Sequence, residues 1–210
     1  MKLFGLTGGV GMGKSTAAGF LLQAGARMAD TDEIARALVQ PGQAALGEIK
    51  NEFGEKILAA DGSLNRAALA EKVFTNEAAR KKLEAILHPR IREGWRAQVE
   101  SWRKENCAVA VVVIPLLYET QAEIYFDKII CVACSPSSQI ERLKARAWTP
   151  EQIQQRIAAQ LPVEQKIAHS HYVVWTEGLL ENSRRQLAKI LEKSSVLLAS
   201  ILSLVCNHIW

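Results

Sequence analysis

The sequence predicts an α/β fold in which helices cover both faces of a parallel β-sheet. The first observation is a run of apolar residues without any charge, residues 108–114, which has the composition of a strand buried on both faces. The second is that such runs alternate with longer segments whose apolar residues recur at helical spacing. The third is a glycine-rich turn, residues 8–13, between the first strand and the first helix.

Five short strands are expected along the chain, at residues 2–7, 26–29, 108–114, 128–133 and 172–175. Helices are expected at residues 14–24, over most of 32–104, at 136–147, from 149 and from 180 onward. Asp61 and Gly62 mark a turn inside the long helical stretch. Thr149 and Gln152 are placed to form a capping box, with Pro150 at the first helical position.

The composition is typical of a globular chain that folds without support from a metal or a disulfide. Of the 210 residues, 49% are hydrophobic and 23% are charged, which argues against disordered, collagen-like and disulfide-scaffold proteins. The length suits one domain with insertions or small lids. The formal net charge of +4 suits an anionic ligand such as a nucleotide, although a solvated surface with a slight basic excess explains it equally well. It gives no reason to expect a nucleic-acid partner.

The cysteines predict neither a disulfide framework nor a metal site. Of the four, only Cys131 and Cys134 have the spacing of a metal-binding pair, and no second pair is present to complete a zinc site. Both are expected to be buried thiols at the end of a strand. Free thiols favour a reducing compartment, so we expect a cytoplasmic protein.

Neither end of the sequence predicts a membrane segment. Gly8 and Gly9 interrupt the N-terminal residues before the hydrophobic region of a signal peptide can form. The apolar run at residues 196–206 is too short to span a bilayer. The apolar tail after Lys193 has two interpretations. It is a helix extension packed either on the core or on another subunit, and the second would make the protein a homo-oligomer.

The strongest motif is a phosphate-binding loop: glycine, four residues, glycine, lysine and then serine or threonine, beginning at Gly8. Its glycines let successive backbone N–H groups point at phosphate oxygens, and the following helix adds the partial positive charge of its N-terminus. Lys14 is expected to reach the β- and γ-phosphates of ATP, and Ser15 to bind Mg²⁺. The expected nucleotide-binding residues of the motif are Gly8, Gly9, Gly11, Met12, Gly13, Lys14, Ser15 and Thr16. A glycine-rich turn without a ligand is the alternative.

Three classes of protein carry such a loop: small-molecule kinases, GTPase switches and ATPase motors or regulators. The Asn-Lys-x-Asp tetrapeptide with which GTPases bind guanine does not occur in the sequence. The most apolar strand ends in Val113, Ile114 and Pro115, without the carboxylate that motor ATPases usually place there. The sequence therefore favours a small-molecule kinase. A nucleotide-binding regulator without turnover is the alternative from a different class.

A kinase also needs a carboxylate near the loop and cations that meet the transferred phosphoryl group. Asp30 and Asp32 follow the second strand, at the edge of a parallel sheet where ligands bind. Asp32 is favoured for the reactive role because it begins the next helix, and a helix N-cap is the competing interpretation for both. Arg142 and Arg146 are four residues apart, so they are expected on one face of a helix that belongs to a lid. A merely solvated helix face is the alternative for them.

Taken together, these motifs show that the sequence resembles the dephospho-coenzyme A kinase family over nearly its whole length, up to about Lys193. The motifs that carry the resemblance follow the family's order: residues 6–16, Asp-Thr-Asp-Glu-Ile-Ala-Arg at 30–36, Leu-His-Pro-Arg-Ile at 87–91, Pro-Leu-Leu-Tyr-Glu at 115–119, Gln-Ile-Glu-Arg-Leu at 139–143 with Arg146, and Arg-Ile-Ala-Ala-Gln at 156–160. The phosphate-binding loop is shared by many enzymes, whereas the combination of the other motifs is much more specific.

The resemblance implies ATP-dependent phosphorylation of the ribose 3′-hydroxyl of dephospho-coenzyme A, which gives coenzyme A and ADP in the final step of coenzyme A biosynthesis. It also implies a three-layer phosphate-loop kinase fold in one domain. That domain would contain a core at about residues 1–31, 106–137 and 168–210, a helical acceptor-binding region at about 32–105 and a helical lid at about 138–167. Another small-molecule, nucleoside or nucleotide kinase of the same fold is the alternative.

The resemblance also implies roles for single residues. Asp32 would be the catalytic base or orienting carboxylate, and Lys14 and Arg142 would stabilise the transferring phosphoryl group. Arg142 and Arg146 are implied as further nucleotide-binding residues. The implied substrate-binding residues are Asp32, Arg36, His88, Pro89, Leu116 and Glu119. Without the resemblance, His88 before a proline is interpreted as a helix-end residue and Glu119 as a surface residue.

The sequence departs from the family's pattern at several places near the expected nucleotide site. Met12 stands where the family usually has serine, at a position that contributes mainly its backbone N–H. Ala147 and Trp148 follow the second lid arginine, where the family usually has Asp or Asn and then Gly. Trp175 and Thr176 occupy positions near the last strand where the family usually has an acidic residue and an asparagine. This last departure bears on adenine recognition.

Overall fold

Within the residues that the structure describes, 1–74 and 76–193, five strands form one sheet. In this computed structural model the strands are β1 (Lys2–Gly8), β2 (Arg27–Asp30), β3 (Val109–Val113), β4 (Lys128–Ala133) and β5 (Tyr172–Trp175). Their order in the sheet is β2-β3-β1-β4-β5. β1 runs parallel to both β3 and β4, and β4 runs parallel to β5. The predicted α/β class with a parallel sheet is confirmed.

The chain divides into two compact units. The first consists of Met1–Met28 and Trp102–Trp210, and the second of Ala29–Ser101. In chain order, the helices within the described residues are α1 (Lys14–Gln23), α2 (Thr31–Leu38), α3 (Ala44–Phe53), α4 (Arg66–Phe74), α5 (Glu77–Lys104), α6 (Pro136–Lys144), α7 (Pro150–Ala158), α8 (Val163–His169) and α9 (Leu180–Lys193). Helices α2 to α5 begin in the second unit, and the other helices lie in the first. The division into core, acceptor-binding region and lid stays a prediction.

The core of the first unit forms between the sheet and helices that include α1 and α9. Leu6, Val111 and Ile130 contribute to it from β1, β3 and β4, and each is fully buried. Leu21 of α1 and Leu187 of α9 belong to the same cluster. Burying an aliphatic side chain of this kind is worth about 1.5–3 kcal/mol. The uncharged strands and the amphipathic helices predicted from the sequence pack together for this reason.

The second unit has an apolar core of its own, which is helical. Its buried cluster consists of Val39, Ile49, Phe53, Ile57 and Leu69. Ile49 and Phe53 are four residues apart on α3, so one face of that helix enters the cluster. The Asp61 carboxylate accepts hydrogen bonds from the backbone N–H (3.0 Å) and the hydroxyl (2.6 Å) of Ser63. These bonds confirm the turn predicted at this point in the long helical stretch.

The predicted helix at residues 136–147 ends early, so this part of the prediction is wrong. Helix α6 ends at Lys144, and Ala147 adopts a φ of 60°, in the left-handed region. The Ala147 N–H bonds to the Lys144 carbonyl oxygen at 2.9 Å, and a left-handed residue at this place closes a helix. Arg146 therefore lies in the turn beyond the helix. The expectation that Arg142 and Arg146 share a helix face is wrong for the same reason.

Replacing Ala147 by glycine is expected to stabilise the protein. A residue with a side chain is less stable than glycine in the left-handed region by about 1 kcal/mol. Denaturant unfolding should therefore give a free energy of unfolding about 1 kcal/mol higher for Ala147→Gly than for the unchanged chain. The matched control is Ala145→Gly, because Ala145 has a right-handed φ of −62° and glycine there should lower the free energy of unfolding. Equal effects of the two substitutions would contradict this assignment of the helix end.

Two other local predictions are confirmed. The Thr149 hydroxyl oxygen accepts from the Gln152 N–H, and the Thr149 N–H donates to Gln152 Oε1 at 3.0 Å, which is the predicted capping box. Cys131 and Cys134 are buried free thiols at the end of β4. Burial raises the pKa of the Cys131 thiol to about 11, so this thiol is protonated and unreactive at neutral pH.

Two possible features are absent from the part of the chain that the structure describes. No group of His, Cys, Asp and Glu side chains there is arranged to hold a metal ion. No helix among residues 1–74 and 76–193 is both long and apolar enough to cross a membrane. The apolar run at residues 196–206, and the tail after Lys193 to which it belongs, lie outside the described residues.

Candidate functional site

The loop between β1 and α1 has a backbone conformation that glycine adopts most readily. Gly8, Gly11 and Gly13 have φ angles of 144°, 75° and 90°, which residues with side chains rarely adopt. At Gly8 a side chain is also excluded for lack of space, since a Cβ would lie 2.3 Å from the Val132 carbonyl oxygen of β4. The glycines of the motif therefore let the loop turn tightly against the sheet.

The loop leads into the N-terminus of α1, where the backbone presents hydrogen-bond donors. The bond from the Ala17 N–H to the Gly13 carbonyl oxygen, 3.0 Å long, closes the first turn. The N–H groups of Ser15 and Thr16 precede this bond and have no acceptor within the helix. The first turn of α1 contains no acidic residue that would oppose an anion. The loop and the helix end together form an arrangement that can bind phosphate.

Lys14 places a positive charge directly on this loop. Its Nζ atom donates hydrogen bonds to the carbonyl oxygens of Gly8 (2.8 Å) and Gly9 (2.9 Å). The side chain is half-buried, so its charge is less screened by water than that of a surface lysine. The predicted lysine therefore lies where the backbone donors of the loop also converge.

Thr176, which follows β5, connects the loop to α6. Its hydroxyl group lies within hydrogen-bond distance of the carbonyl oxygens of Met12 (3.0 Å) and Ala133 (3.3 Å). Arg142 of α6 donates to the Thr176 hydroxyl oxygen at 2.9 Å and also to the Thr176 carbonyl oxygen. Arg142 is thereby held beside the C-terminal part of the loop. From the sequence, Thr176 is identified only as a departure from the family pattern. Its position at the carboxyl end of the last strand, the edge of a parallel sheet where ligands bind, could have indicated a role at the site.

The side chain of Met12 belongs to the hydrophobic core and not to the surface of the loop. Met12 is 2% exposed and lies in the same cluster as the β1 residues Phe4 and Leu6. A Cβ at Gly9 would lie 2.9 Å from the Met12 sulfur atom, so the two positions constrain each other. The Met12 N–H donates to the Gly9 carbonyl oxygen at 3.3 Å within the loop, and the contact of Met12 with the nucleotide stays a prediction.

The other cations of the predicted lid have different environments. Arg146 is exposed in the turn after α6. The Arg156 guanidinium lies 5.6 Å from the centre of the Trp148 ring, within the range of a cation–π contact. Lys166 of α8 is completely buried. Arg142 has a structural link to the loop through Thr176, whereas Arg156 packs against an aromatic ring.

Lys166 forms an ion pair with Glu119, one of the residues expected at the acceptor site. Its Nζ atom lies 2.8 Å from Glu119 Oε1 and donates to the Pro115 carbonyl oxygen at 2.8 Å. The same carbonyl oxygen accepts from the hydroxyl of Thr7, on the strand that leads into the loop (3.3 Å). Removing one partner of a buried ion pair leaves an uncompensated charge, so the pair holds Glu119 in one position. Leu116, next to Pro115, is half-buried. No local sequence signal indicates that Lys166 is buried.

Glu177 fixes the N-terminus of α6, the helix that carries Arg142. Its carboxylate accepts hydrogen bonds from the Ser135 N–H and from the Ser138 hydroxyl (2.8 Å). The backbone N–H of Ser135 is the main cause that lowers the pKa of Glu177 to about 2, so the carboxylate is ionised at neutral pH. The start of α6 is therefore tied to the segment that follows β5.

In the second unit, the predicted carboxylates lie where β2 meets α2. The Asp30 side chain accepts from the Asp32 N–H at 2.8 Å, so Asp30 is the N-cap of α2. This confirms the N-cap interpretation for Asp30 and leaves Asp32 in the first helical turn, with an exposed side chain. Arg36 is also exposed and lies one turn further along the same face of α2.

His88 and Pro89 lie inside α5, so the interpretation of His88 as a helix-end residue is wrong. The helix continues from Glu77 to Lys104 through the proline. Pro89 has no backbone N–H to donate to a carbonyl oxygen of the preceding turn. In that turn, the Arg90 side chain donates to the Ile86 carbonyl oxygen at 2.7 Å. His88 is half-buried and Pro89 is exposed.

Comparisons with known proteins agree on one family. The profile of the family described as "Dephospho-CoA kinase" matches residues 2–182. A Bdellovibrio bacteriovorus protein named "Dephospho-CoA kinase" is 39% identical over 192 residues, which cover 91% of this chain and 96% of that protein. Two solved structures are similar over most of both chains. TT1252 from Thermus thermophilus has a TM-score of 0.78 and 31% identity, covering 91% of this chain and 97% of its own. The dephospho-CoA kinase from Campylobacter jejuni has a TM-score of 0.69 and 27% identity, covering 93% and 98%.

Proposed function

The chain belongs to the dephospho-CoA kinase family, and on this premise we propose that it phosphorylates the ribose 3′-hydroxyl of dephospho-coenzyme A with ATP. The products are coenzyme A and ADP, and the reaction is the final step of coenzyme A biosynthesis. The observation that carries the proposal is the phosphate-binding loop, with Lys14 bonded to its carbonyl oxygens and Arg142 held beside it through Thr176. The match of the family over nearly the whole chain supports the choice of acceptor.

On the nucleotide side, the loop N–H groups and Lys14 bind the phosphates of ATP. The transition state spreads negative charge over the three equatorial oxygens of the transferring phosphoryl group, so fixed donors aimed at these oxygens lower the barrier. Arg142, held beside the loop through Thr176, adds a second positive charge. Arg146, in the exposed turn after α6, is a further proposed nucleotide-binding residue. The remaining loop contacts come from Gly8, Gly9, Gly11, Met12, Gly13, Ser15 and Thr16.

Mg²⁺ fits the residues at the start of α1. The cation prefers oxygen ligands and usually takes one or two from the protein and the rest from substrate phosphates and water. Ser15 has an exposed hydroxyl in the first turn of α1, which suits this role. A cation held there by Ser15 together with ATP would supply charge neutralisation at the β- and γ-phosphates.

On the acceptor side, Asp32 is the catalytic base or orienting carboxylate. The 3′-hydroxyl oxygen forms a bond to the γ-phosphorus, the bond to the oxygen of ADP breaks, and Asp32 accepts the hydroxyl proton. Arg36, on the same face of α2, offers a positive charge to the acceptor. His88, Pro89, Leu116 and Glu119 are the other residues proposed to bind it.

The proposed partners are small molecules, ATP and dephospho-coenzyme A. Water is a competing acceptor for the phosphoryl group, so a lid at residues 138–167 is proposed to exclude it. A cytoplasmic location is proposed because the buried thiols are free and the substrates are intracellular metabolites. The apolar tail after Lys193 is the one feature on which a homo-oligomer is proposed, since the tail could pack on another subunit.

A coupled assay of ADP formation tests the choice of acceptor. The purified chain is supplied with ATP and Mg²⁺ together with dephospho-coenzyme A, adenosine or AMP in parallel. We expect ADP formation with dephospho-coenzyme A to exceed that with either other acceptor by at least about 10²-fold, since binding energy from the rest of the substrate is used at the reacting centre. A preference for adenosine or AMP would assign the chain another acceptor.

A further inference from the structure

Two glutamine side chains hold the two peptide groups on either side of the Val10 Cα atom in the phosphate-binding loop. The Val10 N–H donates to Gln160 Oε1 at 2.9 Å, and the Val10 carbonyl oxygen accepts from Gln139 Nε2 at 2.7 Å. Val10 lies between Gly9 and Gly11, so its neighbours in the chain do little to restrict rotation of this part of the backbone. The two amides therefore provide the restriction that the loop sequence itself lacks.

The direction of both hydrogen bonds follows from the backbone. A backbone N–H can only donate and a backbone carbonyl can only accept, so Gln160 must present its oxygen to Val10 and Gln139 must present its NH₂ group. Gln139 is 6% exposed, and a buried amide that lost its partner would incur the cost of desolvation. The two glutamines are therefore not interchangeable, although both bind the backbone of Val10.

The two glutamines come from the segments that also hold the other candidate groups of the site. Gln139 lies on α6, three residues before Arg142, so the same helix positions the loop and the arginine. Gln160 follows the end of α7, and its N–H bonds to the Ile157 carbonyl oxygen at 3.1 Å. The next N–H, that of Leu161, donates to the Glu119 carboxylate at 2.8 Å. Gln160 is thus fixed on both sides and connects α7 directly to the loop.

We propose that Gln139 and Gln160 are positioning residues for phosphoryl transfer. They fix the two peptide groups that flank Val10, so that the loop N–H groups that follow are already aimed at phosphate before ATP arrives, which lowers the cost of organising the site. Through Gln160, the end of α7 sets the conformation of the loop, so the nucleotide affinity depends on the position of this helix. The proposal rests on the nucleotide-binding part of the proposed function and not on the identity of the acceptor.

Substitution by methionine, which keeps the length of the side chain and removes the hydrogen bond, tests the proposal. We expect Gln139→Met and Gln160→Met each to raise the dissociation constant for ADP, measured by calorimetry without an acceptor, by about five- to tenfold. The KM for ATP should rise similarly, and the KM for dephospho-coenzyme A should change by less than about twofold. Gln155→Met is the matched control on the exposed face of α7 and should change none of these values. Unchanged ADP affinity in both variants would overturn the proposal.

Substitution by glutamate separates positioning from charge and from folding. Gln160→Glu keeps an acceptor for the Val10 N–H, whereas Gln139→Glu places a carboxylate against the Val10 carbonyl oxygen. Both variants add the same charge beside the backbone of Val10, so charge alone predicts similar losses of ADP affinity. We expect the loss to be at least about tenfold larger for Gln139→Glu. Equal losses would overturn the proposal. If the variants lower only the melting temperature and keep the ADP affinity, the proposal is also overturned, because that pattern indicates a purely structural role.

Since the ADP affinities are measured without an acceptor, they do not depend on the identity of the acceptor. A failure of dephospho-coenzyme A in the kinase assay together with the expected ADP results would reject the proposed acceptor and support the positioning role. The reverse pattern would support the acceptor and reject the positioning role.

Discussion

Replacing Asp32 by asparagine is expected to lower kcat for dephospho-coenzyme A phosphorylation by roughly 10²–10⁴-fold, the usual contribution of a general base. The amide keeps the size of the side chain but cannot accept the proton of the attacking hydroxyl. The affinity for ATP should change little, because the proposed nucleotide contacts lie in the phosphate-binding loop and on α6. Steady-state kinetics with ATP and dephospho-coenzyme A, each varied in turn, measure both effects.

Two neighbouring residues provide matched controls for Asp32. Glu33→Gln removes one negative charge from the adjacent exposed position of α2 and should leave kcat within about threefold of the unchanged chain. Asp30→Asn keeps the N-cap, since asparagine caps helices as well as aspartate does, and it should leave the stability unchanged. A kcat of Asp32→Asn equal to that of Glu33→Gln would remove Asp32 from the mechanism.

The second large effect is expected for Lys14→Met. Methionine keeps most of the side-chain length but removes the positive charge and the hydrogen bonds to the carbonyl oxygens of Gly8 and Gly9. Loss of one fixed charge-stabilising donor at a transferring group typically lowers kcat by about 10²–10³-fold. We therefore expect a decrease of this size in kcat, accompanied by a higher KM for ATP.

Lys189→Met is the control for Lys14→Met. It removes the same charge from an exposed position on α9 and should leave both kinetic constants unchanged. The melting temperature of Lys14→Met, measured without nucleotide, shows whether the loop folds without its lysine. Normal activity of a folded Lys14→Met variant would contradict the assignment of the loop to ATP.

The sheet could be predicted from the sequence because its strands are short, mostly apolar and separated by helical segments. Every residue of β3 is buried, so no alternation of polar and apolar side chains obscured it. The phosphate-binding loop could be predicted because its glycines have conformations that other residues rarely adopt, which makes the motif specific.

The end of α6 could not be predicted because the signal for it is normally a glycine. Here the left-handed position is occupied by Ala147, and alanine is otherwise the residue most favourable to a helix. The apolar and charged residues around it therefore suggested that the helix continued to about Ala147. The error at His88 is the opposite one. The proline after His88 indicated a helix end, whereas α5 continues through this position.

The network around the loop could not be predicted because its partners are distant in the sequence. Gln160 is 150 positions from Val10 and Thr176 is 164 from Met12. A glutamine or threonine in these places has the same local signature as one on the surface, and only the packing of α6 and the segment after α7 against the loop gives it a partner. Lys166 is the clearest case, because a lysine with no exposed area cannot be distinguished in sequence from a solvated one.

The most direct test of the function is the fate of the γ-phosphate. The chain is incubated with ATP labelled at the γ-phosphate, Mg²⁺ and dephospho-coenzyme A, and the products are separated and analysed by mass spectrometry and phosphorus NMR. The proposed function predicts that the label appears in coenzyme A as a monoester at the ribose 3′-hydroxyl, in an amount equal to the ADP formed. Label recovered as inorganic phosphate, or on another hydroxyl, would contradict it.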